Sequence, residues 1–133
     1  MTDFSIVIEF TVLGPKGSIN NLLQKLTDNI TNICAFSIRE DKVNKLEFKF
    51  VIDPRGSDTE VSIVKNILKK SGLQFYEEKV IKVSSANNLR DINMQHKALI
   101  ERLDLYASYV TFDGSIIYKT CCPTKAIQIL NSL

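Results

Sequence analysis

Val12-Leu13-Gly14-Pro15-Lys16-Gly17-Ser18-Ile19-Asn20-Asn21-Leu22-Leu23 is the stretch that decides the fold of this chain. A strand pattern runs through a Gly/Pro segment directly into an amphipathic helix. Glycines let the backbone turn tightly and approach a bound molecule, and the unpaired N–H groups at the start of a helix attract an anion such as a carboxylate. The sequence therefore predicts a ligand-binding segment made of Leu13, Gly14, Pro15, Lys16, Gly17, Ser18 and Ile19.

The residues on either side of this segment show the two hydrophobic periods. Apolar residues alternate with polar ones from Phe4 to Val12, which is typical of a strand with one buried face. From Ile19 to Ile30 the apolar residues follow helical spacing, and Ser18 is the predicted N-cap of this helix. The chain therefore begins with a strand followed by a helix.

The next residues predict two further strands, a helix and a fourth strand. Ile33 to Arg39 and Leu46 to Ile52 form a predicted hairpin around the polar turn at 40–44. The segment Ser57-Asp58-Thr59-Glu60 has the spacing of a capping box, Gly72 ends the helix that follows it, and Leu73 to Val83 is the last strand.

This order is βαββαβ, which predicts an α+β, ferredoxin-like fold with an antiparallel sheet. We expect the strand order 4-1-3-2, with both helices on one face of the sheet. Phe48 and Phe50 should then lie in the core beneath the helices.

The first part of the chain resembles the ACT family of small regulatory domains. The resemblance covers about residues 3 to 83, with Gly17 at the loop glycine, Ile19 at the first buried helix position, and Asn32 and Ile33 at the start of the second strand. It implies binding of an amino acid between the first-strand loop and a neighbouring strand, with domains paired side by side. Gly14 replaces an acidic residue that is common in the family, and Pro15 stands one place early, so these two positions depart from its pattern.

The residues after Val83 predict a second, shorter part of the chain. A polar segment at 84–88 separates a domain at 1–83 from an extension at 84–133, which has the order αββα with an Asp113-Gly114 hairpin turn. This extension resembles the middle of a second ferredoxin-like unit without its outer strands. It must pack on the first unit, borrow the end of the Leu73 to Val83 strand, or complete its sheet with another subunit, and we expect a homodimer.

Composition excludes several classes of protein. The 133 residues carry a net charge of only +2, which is too small for bulk attraction to nucleic acid, and no apolar run is long enough to span a membrane. The first residues do not resemble a signal peptide, so the predicted location is the cytoplasm. The three cysteines are expected to be reduced, buried thiols, and no metal site or cofactor is predicted.

Catalysis has little support, because the single histidine, His96, lies on a predicted helix stripe and no nucleophile motif is present. We therefore expect a non-enzyme, namely a regulatory domain that binds a small-molecule effector. Two alternatives remain from another class. One is an RNA-binding protein that presents Phe48 and Phe50 on an open sheet face, and the other is the sensor part of a transcription regulator.

Overall fold

A computed structural model describes residues 3–30, 33–53, 58–84 and 89–133. The elements are β1 (Asp3–Pro15), α1 (Lys16–Asn29), β2 (Ile33–Lys42), β3 (Lys45–Ile52), α2 (Asp58–Ser71), β4 (Gln74–Ser84), α3 (Leu89–Arg102), β5 (Leu105–Val110), β6 (Ile116–Thr120) and α4 (Pro123–Asn131). The strand order is β2-β3-β1-β4-β6-β5, and the α+β, ferredoxin-like prediction is confirmed. The first four strands have the predicted 4-1-3-2 order.

Contacts group the chain into two compact units. The first unit is Ile8–Glu78, and the second unit combines Met1–Val7 with Lys79–Leu133. β1 and β4 therefore each contribute residues to both units. The division into domains at Val83 stays a prediction, because these units are groups of contacts and not pieces shown to fold separately.

The core of the first unit lies between its strands and its two helices. Phe10 lies opposite Phe50 and Val12 opposite Phe48, so the four side chains share one sheet face. The Phe50 ring stacks on Phe10 at a centroid distance of 5.3 Å and lies 4.9 Å from the ring of Phe48. Helix residues complete this core, namely Ile19, Leu22, Leu26, Val64 and Leu68. The predicted burial of Phe48 and Phe50 beneath the helices is confirmed.

The second unit obtains two of its four strands from the ends of two long strands. Residues 79–84 of β4 and 3–7 of β1 belong to it, and Ile81 and Val83 lie opposite Tyr118 and Ile116 of β6. Its strand order is β1-β4-β6-β5, which repeats 4-1-3-2 when β4 counts as the first strand and β1 as the last. The extension thus includes the end of the predicted Leu73 to Val83 strand. This is one of the three arrangements that the sequence left open. The contribution of β1 was not predicted.

The Asp113-Gly114 turn between β5 and β6 is confirmed, and Gly114 has a φ of +83°. Hydrogen bonds from the Thr111 hydroxyl and from Ser115 hold the pKa of Asp113 far below its usual range. Asp113 Oδ2 also lies 3.3 Å from Lys82 Nζ, whose side chain is 7% exposed. The turn is therefore stabilised by a carboxylate that accepts a hydrogen bond from the backbone and forms an ion pair with a buried lysine.

Several local predictions were wrong. Ser18 is not an N-cap, because α1 begins at Lys16 with Pro15 as the N-cap residue. The turn of the first hairpin is only Val43 and Asn44, and Asn44 adopts a φ of 65°, which asparagine tolerates better than most residues. The capping box begins at Ser57, which lies outside the described residues.

The prediction of buried thiols was also wrong for two of the three cysteines. Cys121 and Cys122 are exposed, because they lie in the connection between β6 and α4, and Cys34 in β2 is half-buried. Among the helices of the described residues, none has the length and apolar character needed to cross a membrane.

Candidate ligand site

The predicted ligand-binding segment is a direct junction between β1 and α1, not a loop. Gly14 and Pro15 belong to β1, where they lie opposite Leu46 and Lys45 of β3, and α1 starts at the next residue, Lys16. Pro15 has φ −62° and ψ 154°, so the chain leaves the strand within one residue. The fixed φ of proline explains this sharp start, because it suits both an extended residue and the first turn of a helix.

The two glycines of this junction have different roles. A Cβ atom on Gly14 would lie 2.8 Å from Leu73 Cδ2 and 3.7 Å from Ile19 Cδ1, so Gly14 allows close packing. A Cβ atom on Gly17 would meet no described atom within 4 Å, and Gly17 is exposed in the first turn of α1. Gly14 is therefore a structural glycine, while Gly17 leaves open space at the start of the helix.

The N-terminus of α1 is suited to an anion. No described side chain caps it, and its first turn has no acidic residue. The N–H group of Lys16 donates to the Asn44 carbonyl at 3.3 Å. The next two N–H groups, those of Gly17 and Ser18, lie before the first intrahelical bond of α1 and have no acceptor within the helix. Lys16 adds positive charge to the positive end of the helix dipole, and Lys45 lies opposite Pro15.

The structure does not bring all predicted site residues together within one chain. Leu13 is half-buried at the end of β1, and the buried Ile19 belongs to the core. Ile33 lies opposite Ile52, whereas Gly14 lies opposite Leu46, so about 20 Å of β3 separates them. Asn32 lies outside the described residues. A ligand at Gly17 therefore cannot also contact Ile33 of the same chain.

Sequence reasoning missed three neighbours of this junction, namely Asn44, Lys45 and Leu73. Each reaches it through tertiary structure: Asn44 by its carbonyl, Lys45 by strand register and Leu73 by side-chain packing. Only Asn44 carries a local signal, since asparagine is common in tight turns.

The alternative sites are not supported by the geometry. Phe48 and Phe50 face the helices and are fully buried, so they cannot stack on RNA bases. His96 is half-buried in α3, and its Nε2 atom pairs with the Ser108 hydroxyl at 2.8 Å and not with a cysteine thiol. Within the described residues, no three His, Cys, Asp or Glu side chains form a group that could hold a metal ion.

No protein-family model and no curated protein matches the sequence. The structure is similar to protein BT0572 from Bacteroides thetaiotaomicron, with a TM-score of 0.74, 15% identity, and coverage of 97% of this chain and 89% of that chain. It is also similar to the regulatory subunit of aspartate kinase from Thermus flavus, with a TM-score of 0.60, 10% identity, and coverage of 98% and 95%. The chain shares its α+β, ferredoxin-like fold with these proteins.

A further similar structure belongs to a larger protein. The chain is similar to E. coli aspartokinase III in complex with lysine and aspartate, with a TM-score of 0.54 and 10% identity. This likeness covers 98% of the present chain but only 31% of the aspartokinase chain. At these identities the similarity shows the fold alone.

Proposed function

We propose that this protein is a non-catalytic regulatory domain that binds a small molecule with a carboxylate, namely a free amino acid, at the N-terminus of α1. The observation that carries the proposal is the uncapped start of α1, where the N–H groups of Gly17 and Ser18 lie beside Lys16. Two similar structures support it, since one is a regulatory subunit of aspartate kinase and the other an aspartokinase in complex with lysine and aspartate. The cytoplasmic location belongs to the same proposal.

The separation between Gly17 and Ile33 favours a site that two copies share. β2 is an edge strand in the described sheet, and Phe36 and Ile38 on its helix-facing side are 53% and 39% exposed. Antiparallel pairing of β2 from two copies would place the Ile33 end of one strand beside the Lys42 end of the other. That second end leads through Asn44 to the start of α1, so Ile33 of one copy would approach Gly17 of the other.

We therefore expect a homodimer with a mass of about twice 15.1 kDa, which the substitution Phe36→Lys dissociates. A charge at position 36, on the helix-facing side of β2, would have to be desolvated when two strands pair, and lysine on an edge strand opposes pairing. Light scattering over a dilution series measures the mass of both proteins.

Tyr106→Lys provides the matched control for this substitution. Tyr106 is an exposed aromatic residue on β5, the strand at the other edge of the sheet, and its replacement should leave the dimer intact. A wild-type protein that is monomeric at every concentration would refute the dimer. Dissociation by Tyr106→Lys and not by Phe36→Lys would move the interface to β5.

Gly17→Val should weaken amino-acid binding by at least about tenfold and change the free energy of unfolding by no more than about 1 kcal/mol. The branched side chain would fill the open space beside the helix N–H groups, where the ligand must approach. A Cβ atom at this position meets no described atom within 4 Å outside its own turn of helix, so the substitution has room at the start of α1. Calorimetry with each of the standard amino acids measures binding, and urea unfolding measures stability.

Thr124→Val is the control that matches the position of Gly17. Thr124 is the second residue of α4, is exposed, and occupies the place in its helix that Gly17 occupies in α1. Its substitution should leave amino-acid binding unchanged. If no amino acid binds the wild type, the proposed function fails although the fold stands; binding that survives in Gly17→Val would place the site elsewhere.

A further inference from the structure

The second unit contains a cleft of about 370 Å³, outside the site at α1. It lies among the first half of α3, the end of α4 and the start of β1. Its lining includes Phe4, Asp91, Met94, Gln95, Asn131 and Leu133. This volume is within the range of small-molecule sites, and the lining combines a few polar groups with an apolar wall.

Gln95 is the polar residue that gives this cleft its chemistry. Only 6% of Gln95 is exposed, and the buried Tyr118 hydroxyl donates to its Oε1 atom at 2.8 Å. Within the described residues this is the only hydrogen bond of the Gln95 amide, so its Nε2 atom is an unused donor. The Nε2 atom is not one of the fully buried, unpaired polar atoms of the described residues, so it is open to the cleft, where an acceptor atom of a ligand would accept from it.

The hydrogen bond from Tyr118 fixes the orientation of the Gln95 amide. Burial raises the pKa of the Tyr118 phenol, which keeps the hydroxyl protonated and able to donate to Oε1. The His96 ring lies edge-on to the Tyr118 ring at a centroid distance of 4.9 Å. His96 is itself held through its Nδ1 atom, which lies 2.8 Å from the Ile92 carbonyl. The donor of Gln95 is therefore preorganised by a buried network.

The remaining lining residues complete a set of complementary groups. Asp91 lies one turn before Gln95 on α3, so its negative charge is on the same side of the helix. Asn131, at the end of α4, supplies a second amide. Phe4, Met94 and Leu133 add apolar surface, and Met94 and Leu133 are exposed.

We propose that this cleft is a second ligand site, which binds a free α-amino acid with an apolar side chain. The ligand carboxylate accepts from Gln95 Nε2 and from the Asn131 amide, its ammonium group faces Asp91, and its side chain contacts Met94 and Leu133. All of these residues belong to the second unit, so the site does not depend on the α1 junction.

The test uses the full chain labelled with ¹⁵N and L-leucine as the probe. The side-chain NH₂ signal of Gln95, assigned by its loss in Gln95→Met, should shift in a saturable way with ligand concentrations up to about 20 mM. Isoamylamine and 4-methylpentanoate lack the carboxylate and the amine, respectively. Each should bind at least about tenfold more weakly than L-leucine.

Two variants separate the roles of the polar groups. Asp91→Asn should weaken L-leucine binding and should not weaken 4-methylpentanoate binding, because it removes the charge that faces the amine and that repels a ligand carboxylate. Asn131→Ala, at an exposed position, should weaken both ligands without unfolding the protein. The backbone amide signals of Gly17 and Ser18 report on the α1 site in the same spectra. The experiment therefore detects binding at each of the two sites separately.

The proposal is overturned if the Gln95 signal does not move with L-leucine, whether or not the Gly17 signal does. It is also overturned if L-leucine binds Asn131→Ala and Asp91→Asn as tightly as the wild type. Movement of the Gln95 signal without movement at Gly17 supports this cleft and counts against the proposed site at α1.

Discussion

A polypeptide of residues 89–133 will not fold alone, although it contains the whole of α3, β5, β6 and α4. Two of the four strands of the second unit come from β4 and β1. Ile81 and Val83 of β4 are fully buried in the same core as Leu99 and Tyr118. Without these strands the short hairpin loses its neighbours and the core is uncovered, and a two-stranded hairpin is marginal at best in water.

A permuted polypeptide is the control for this fragment. It begins with residues 79–133 and continues through a linker of about five residues into residues 3–7, so that both borrowed strands are restored. Phe4 packs against the core of the second unit, and it lines the same cleft as Leu133, so the joined ends are close together. The permuted form should melt cooperatively by circular dichroism, while 89–133 shows no transition. A cooperative transition in 89–133 would refute the role of the two borrowed strands.

Phe50→Ala should lower the free energy of unfolding by about 3–5 kcal/mol. The Phe50 ring is fully buried and contacts both Phe10 and Phe48, so truncation loses apolar burial and leaves a cavity between the sheet and the helices. Such a loss is a large part of the total stability of a domain, which is about 5–15 kcal/mol. Urea unfolding monitored by circular dichroism measures it.

Phe112→Ala is the matched control for Phe50→Ala. Phe112 is 66% exposed, so its truncation should change the free energy of unfolding by no more than about 0.5 kcal/mol. Equal costs for the two substitutions, or a cost below about 1 kcal/mol for Phe50→Ala, would contradict the assignment of Phe50 to the core. Those results would reopen the interpretation of its ring as an RNA-stacking surface.

At the candidate site, the sequence did not predict which residues have a structural role and which are open to a ligand. Gly14 and Gly17 look alike in the sequence, and both were assigned to a ligand-binding loop. The structure distinguishes them, because Leu73 from the α2–β4 connection lies against Gly14 and nothing described lies against Gly17. Ile33 was grouped with them by family resemblance, but the register of β3 separates it from the junction.

The sequence by itself determined the elements and the core of the first unit, and the hairpin turn of the second. The alternation of Phe48 and Phe50, the helical spacing from Ile19 to Leu26, and the Asp113-Gly114 turn depend on residues a few positions apart, which local periodicity and backbone preference are able to specify. That information was sufficient for the strand order 4-1-3-2, because few arrangements bury all of these faces together.

Only the tertiary structure decided how β1 and β4 divide their length between the two units, since nothing in an uninterrupted strand marks the residue where its neighbours change. The same is true of the Gln95–Tyr118 hydrogen bond, which joins residues 23 positions apart. In the sequence Gln95 is an ordinary polar residue of a helix. Its burial, and the donor that it leaves in the cleft, depend on strands and helices that meet only after the chain has folded.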